Sequence, residues 1–127
     1  MCLVLRPIPL SPVVDVGEKR FEELVAEALD SIPPDLGRLM DNVAVTIDGH
    51  AEGHRLLGLY EGTPLTRRGP MSYAGAMPDK ITIYKDTICL VCSTDVEVVA
   101  LVRKTVIHEI AHHFGISDPR LNELGWA

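Results

Sequence analysis

Aromatic side chains are scarce in this chain: Phe, Trp and Tyr together make up 5% of its 127 residues. Its core must therefore be aliphatic. Cysteines number three, Cys2, Cys89 and Cys92, an odd count and too few for a disulfide framework. Long apolar runs are missing as well. Ile88–Cys92 and Val98–Val102 fall far short of the roughly 18 residues that a membrane-spanning helix needs. Positive charge is in deficit, with a net charge of −6 at pH 7. That balance argues against a surface that tracks phosphates, so nucleic acid is not an expected partner, and neither is a membrane. The first ten residues hold Arg6, Pro7 and Pro9 where the apolar centre of a secretory signal would run. The expected compartment is the cytoplasm.

What is present fits one domain. Apolar residues reach 46%, too many for a disordered chain. A chain of this length buries about two-thirds of its unfolded surface, enough for a core without staples. Pro7, Pro9 and Pro12 favour extended chain. Residues 1–14 therefore read as an extended N-terminal arm, and residues 15–127 as a single domain.

Phe21, Leu24, Val25, Ala28 and Leu29 recur at helical spacing, with Glu18, Lys19, Glu22, Glu23 and Glu27 off the stripe. This predicts a helix over residues 17–31, stopped by Pro33 and Pro34, with a short helical turn following at 35–40. Val43–Asp48 alternates as a strand does, and Leu56–Tyr60 is a second candidate. An irregular connection rich in Gly and Pro spans residues 62–78, and Ile81–Tyr84 reads as a third strand. Thr87–Cys92 is ambiguous between strand and helix. The second strong helix is residues 95–114. Thr94 is placed to cap it, Glu97 completes a capping box, and Gly115 stands where the chain leaves the helix. Its valines, isoleucines and alanines cover more than half its circumference, so it is central.

That helix contains His108-Glu109-Ile110-Ala111-His112. At about 100° per residue, His112 lies about 40° round from His108 and one turn further on, so both imidazoles reach one metal ion. Glu109 lies about 60° from His112, beside the metal position, where a carboxylate can take a proton from a water. Catalytic zinc needs a third protein ligand and an open position. Gly115 allows the chain to double back, and Asp118, biased toward extended backbone by Pro119, can approach. The full string is H-E-x-x-H-x-x-G-x-x-D.

This string resembles the metzincin variant of zincin metallopeptidases, with Asp in place of the third His. More closely, the chain resembles a family of small bacterial zincin-like metallopeptidases over about residues 17–127. Leu57–Leu65, Pro78–Tyr84 and Val106–Asp118 carry the likeness. The resemblance implies an α+β fold, a minimal zincin: a backing helix and a small mixed sheet packed on the central H-E-x-x-H helix. It also implies zinc ligands at His108, His112 and Asp118, and Glu109 as general base. The methionine turn of metzincins has no counterpart among residues 119–127.

The leading expectation is thus a zinc hydrolase acting on a peptide or protein substrate. The strand Ile81–Tyr84 could pair with an extended substrate if it lies at a sheet edge. The alternatives are a metal-dependent endoribonuclease of the rRNA-maturation type, or a zinc-stabilised module without turnover. The endoribonucleases lack the Glu that follows the first His here. Other residues read as structural or solvated: His113, about 140° from His108 on the helix, His50 and His54 in a glycine-rich turn, and the Cys89/Cys92 pair as buried thiols. Tyr60, Tyr73, Arg67 and Arg68 are candidates to stabilise an oxyanion, each more readily read as structural.

Overall fold

The computed structural model describes residues 2–4, 16–53, 55–67 and 78–124. Among these described residues are four strands: β1 (Cys2–Val4), β2 (Val43–Asp48), β3 (Leu56–Glu61) and β4 (Asp79–Tyr84). The same described residues form five helices: α1 (Glu18–Asp30), α2 (Pro34–Gly37), α3 (Lys85–Val91), α4 (Asp95–His113) and α5 (Asp118–Leu124). A 3₁₀ turn covers Leu65–Arg67. The architecture is α+β, as a minimal zincin fold requires.

The sheet runs β1-β3-β4-β2. β2 is parallel to β4, while β3 is antiparallel to both β4 and β1. β4 is therefore internal, bonded on one side to β3 and on the other to β2. This overturns the expectation that Ile81–Tyr84 could serve as an edge for substrate. The residues explain the placement: Ile81 and Ile83 are buried on one face of β4, and Thr82 and Tyr84 on the other. A strand buried on both faces belongs inside a sheet. Of the arm expected over residues 1–14, Cys2–Val4 lies within the described residues and forms β1.

Helices α1 and α4 pack together against the sheet. α1 contributes Phe21, Leu24, Val25 and Ala28 to the core, and α4 contributes Val98, Val102, Val106 and Ile110. Leu57, Tyr60, Ile81, Ile83 and Ile88 complete it. Aliphatic side chains dominate, as the shortage of aromatics demanded. The Thr87–Cys92 ambiguity resolves as the helix α3. Helix α5 has no counterpart among the expected elements. Asp118 is its first residue rather than extended, Ser117 Oγ accepts from Arg120 N at 3.4 Å, and Pro119 falls in the first turn, where no N–H is needed.

The start and end of α4 fix where its last turn sits. Thr94 Oγ1 accepts from Glu97 N at 3.2 Å, satisfying one of the helix's first N–H groups. At the other end Gly115 N donates to His112 O, and Ile116 N to Ala111 O, both at 2.9 Å. That pair of bonds is a Schellman motif, with Gly115 left-handed at φ +85°. A Cβ on Gly115 would also stand 2.1 Å from Thr66 Oγ1. The turn thus needs glycine for both its backbone angle and the close passage of residues 65–67.

Candidate metal centre

His108 and His112 lie on one face of α4, one turn apart, with ring centroids 4.7 Å from each other. Both are almost fully buried. The Schellman turn then carries Asp118 back over them. His108 Nε2 and His112 Nε2 each lie 3.1 Å from the same oxygen, Asp118 Oδ1. The Asp118 side chain is 55% exposed, so the cluster opens to solvent on that side.

These contacts are close in distance but wrong in direction for hydrogen bonds. His108 Nε2 and His112 Nε2 are buried without a hydrogen-bond partner. Buried polar atoms left this way are costly and uncommon, so each calls for a missing partner. One potential donor atom from each of His108, His112 and Asp118 falls within 4.8 Å of the others, and the described residues add no fourth to the group. Ligands about 2.0–2.1 Å from a four-coordinate zinc ion stand about 3.3 Å apart. The two 3.1 Å separations fit that spacing. The residues present therefore suit a metal ion held by three protein donors.

The His112 ring is oriented from behind. Its Nδ1 lies 3.0 Å from Ile116 O. Donation there leaves Nε2 as the lone-pair nitrogen facing the cluster, the usual support for a metal-binding imidazole. His108 Nδ1 has no such partner among the described residues. Burial, the neighbouring His112 and Lys104 hold the His108 imidazole below its ordinary pKa, and Asp118 opposes them. A neutral imidazole is the form that binds metal.

Glu109 is fully buried beside this cluster, and neither carboxylate oxygen has a hydrogen-bond partner. Strand β3 crosses directly above it: a Cβ on Gly58 would lie 3.2 Å from Glu109 Cγ and 2.7 Å from Thr105 Cγ2. Any larger residue at position 58 would push the strand off the helix. Burial raises the Glu109 carboxyl from 4.5 to about 8, and the nearby Asp118 adds to the effect. A carboxyl that titrates near neutrality is a proton carrier in the useful range.

The other sequence candidates fall elsewhere. His113 is fully buried on the far side of α4, its Nδ1 3.0 Å from Asp79 Oδ2. The Tyr60 hydroxyl donates to the same Asp79 oxygen, so it is a structural group. Arg67 and His50 are exposed. His54, Arg68 and Tyr73 lie outside the described residues. Cys89 and Cys92 are buried, and burial pushes the Cys92 thiol up to about 11 with help from Glu97 and Cys89. Sequence reasoning passed over Asp79, which proves to be a buried hub. The signal was its phase: Asp79 shares a strand face with Ile81 and Ile83 and so was bound for the interior.

A small mixed sheet laid across a helix whose last two turns hold H-E-x-x-H defines the zincin class of fold. The chain belongs to the zincin-like metallopeptidase family, whose sequence profile matches residues 40–126. Among solved structures it is similar to a conserved hypothetical protein from T. thermophilus. The two are 25% identical with a TM-score of 0.52, over 84% of this chain and 95% of that one. No curated protein matches. Among the described residues no helix is long and apolar enough to cross a membrane.

Proposed function

We propose that this protein is a zinc-dependent metallopeptidase, with His108, His112 and Asp118 as the metal ligands and Glu109 as the general base. One observation carries the reading: three donor atoms converge without hydrogen-bond direction beside a buried, unpartnered carboxylate. Three protein donors leave one tetrahedral position for water or substrate, which is the catalytic rather than the structural pattern. A zinc ion held there would polarise the scissile carbonyl and acidify a water.

Each protein group has a defined task. His108 and His112 supply neutral imidazole nitrogens from a rigid helix, and Asp118 supplies a carboxylate from the turn that follows. Glu109 accepts the proton of the water that attacks the peptide carbonyl, then delivers it to the leaving amine. The substrate is a peptide or protein, and net charge −6 favours that over the alternative of RNA.

The test compares wild type with Glu109→Gln, against unfolded proteins and mixed peptide libraries. The variant keeps the side chain's size and should retain stoichiometric zinc while losing about 10²–10⁴-fold in cleavage rate. Equal cleavage by both proteins would remove Glu109 from the mechanism. Zinc-loaded wild type that cleaves nothing would leave a zinc-stabilised module.

A further inference from the structure

Asp79 opens β4, and its side chain is almost completely buried. Among the described residues, three groups converge on it. His113 Nδ1 stands 3.0 Å from Oδ2, the Tyr60 hydroxyl donates to the same oxygen, and Thr63 N donates to Oδ1 at 3.1 Å. The His113 tautomer is forced. Asp41 N donates to His113 Nε2 at 3.3 Å, so that nitrogen must be the acceptor and Nδ1 must carry the hydrogen. Gly62 makes room for this arrangement, since a Cβ there would lie 2.3 Å from Asp79 Oδ1.

The two arms of this hub reach the same place from opposite sides. One arm holds His113, the last residue of α4 and the neighbour of His112. The other holds Thr63 and thereby the start of the segment that leads through Leu65–Arg67. Three residues on from Thr63, Thr66 presses against Gly115, the left-handed residue of the turn that carries Asp118. Asp79 therefore fixes both the end of the helix and the chain that covers the turn after it.

We propose that Asp79 is a positioning residue for the metal centre: by holding His113 and Thr63 together it sets the Gly115–Asp118 turn, and with it the third ligand. The proposal rests on the reading of His108, His112 and Asp118 as metal ligands. The contacts of Asp79 described above are with His113, Tyr60 and Thr63 rather than with the ligands. Its effect passes through packing and directed hydrogen bonds, in the way that groups behind a metal ligand tune affinity, typically by 10–100-fold.

The experiment measures zinc affinity by competition, together with the visible absorption of the cobalt(II)-loaded protein and the melting temperature of the metal-free form. Three variants are compared with wild type. Asp79→Asn keeps the size, but its amide must set an N–H against either Thr63 N–H or the His113 and Tyr60 donors. It should lose about 10–100-fold in zinc affinity, and its cobalt bands should shift as Asp118 withdraws. Tyr60→Phe removes one donor and leaves both arms in place. It should lower the melting temperature but keep zinc affinity within about threefold and leave the cobalt spectrum unchanged. Thr66→Ala, at an exposed position, should weaken zinc severalfold without a change in melting temperature, and it stands in for Asp79→Asn should that variant fail to fold.

Wild-type affinity and spectrum in both Asp79→Asn and Thr66→Ala would overturn the proposal. So would losses of affinity in Asp79→Asn and Tyr60→Phe that simply track their losses of stability. Wild type that binds neither zinc nor cobalt would overturn the metal reading itself, and that failure is visible before any variant is made.

Discussion

Two histidine–carboxylate clusters stand side by side at the end of α4, one residue apart in sequence, and they are built in opposite ways. In the first, His113 and Asp79 are both buried, and each directed contact has a donor and an acceptor. In the second, His108 and His112 face one oxygen of a half-exposed Asp118, and their inward nitrogens have no hydrogen-bond partner. The residue types are the same; satisfaction and access differ. A closed, fully bonded cluster stabilises the fold. An open one with converging lone pairs stores a cost that an added partner can relieve. The helix thus turns one side toward structure and the other toward the candidate metal site within a single turn.

Substitution should separate the two clusters most clearly at their ends. Asp118→Ala removes a half-exposed side chain, so the metal-free protein should change in stability by less than about 0.5 kcal/mol. Zinc affinity should fall at least about 100-fold, measured by competition with a chelator of known strength. His113→Ala should do the reverse to stability. It leaves a cavity and strips a donor from a buried carboxylate, for a loss of about 3 kcal/mol in denaturant unfolding. Equal stability losses from the two would erase the distinction between them.

The turn that joins the clusters gives a smaller effect. Gly115→Ala meets an unfavourable left-handed angle and a collision with Thr66. It should cost about 1–3 kcal/mol and weaken zinc as well, because the same turn places Asp118. A change within error in both quantities would mean that the turn is set elsewhere.

The last expected effect is the sign of a pH dependence. Burial raises the Glu109 carboxyl from 4.5 to about 8. A group whose folded pKa lies above its unfolded value carries no penalty below the unfolded pKa. It destabilises the fold as the pH rises from 4.5 toward 8. Metal-free Glu109→Gln lacks that titration. Its melting temperature relative to wild type should therefore climb between about pH 5 and pH 8. A flat difference across that range would show that the Glu109 carboxyl is not raised by its surroundings.

Much of this was legible in the sequence because the signals are local. Thr94 and Glu97 mark the start of α4 and Gly115 its end, and i,i+4 spacing alone puts His108 and His112 on one face. The alternation of Val43–Asp48 gave β2 its observed limits. What stayed hidden depends on distant partners. Alternation in Ile81–Tyr84 tells which face is buried but not which strands lie alongside, so the internal place of β4 could not be read. A lone Asp after Pro78 looks like a turn residue, and only the fold brings His113, Tyr60 and Thr63 around Asp79. Pro119 suggested extended chain at Asp118, but a proline in the first turn is equally at home in a helix, and α5 is too short to show a period.

The metal centre is tested most directly by X-ray absorption at the zinc edge of the loaded protein. His108, His112 and Asp118 predict a first coordination sphere of nitrogen and oxygen at about 2.0–2.1 Å, with imidazole scattering and no sulfur. Asp118→Ala should lose one oxygen donor from that set. Sulfur at about 2.3 Å would place the metal on Cys89 and Cys92 instead and contradict the assignment outright.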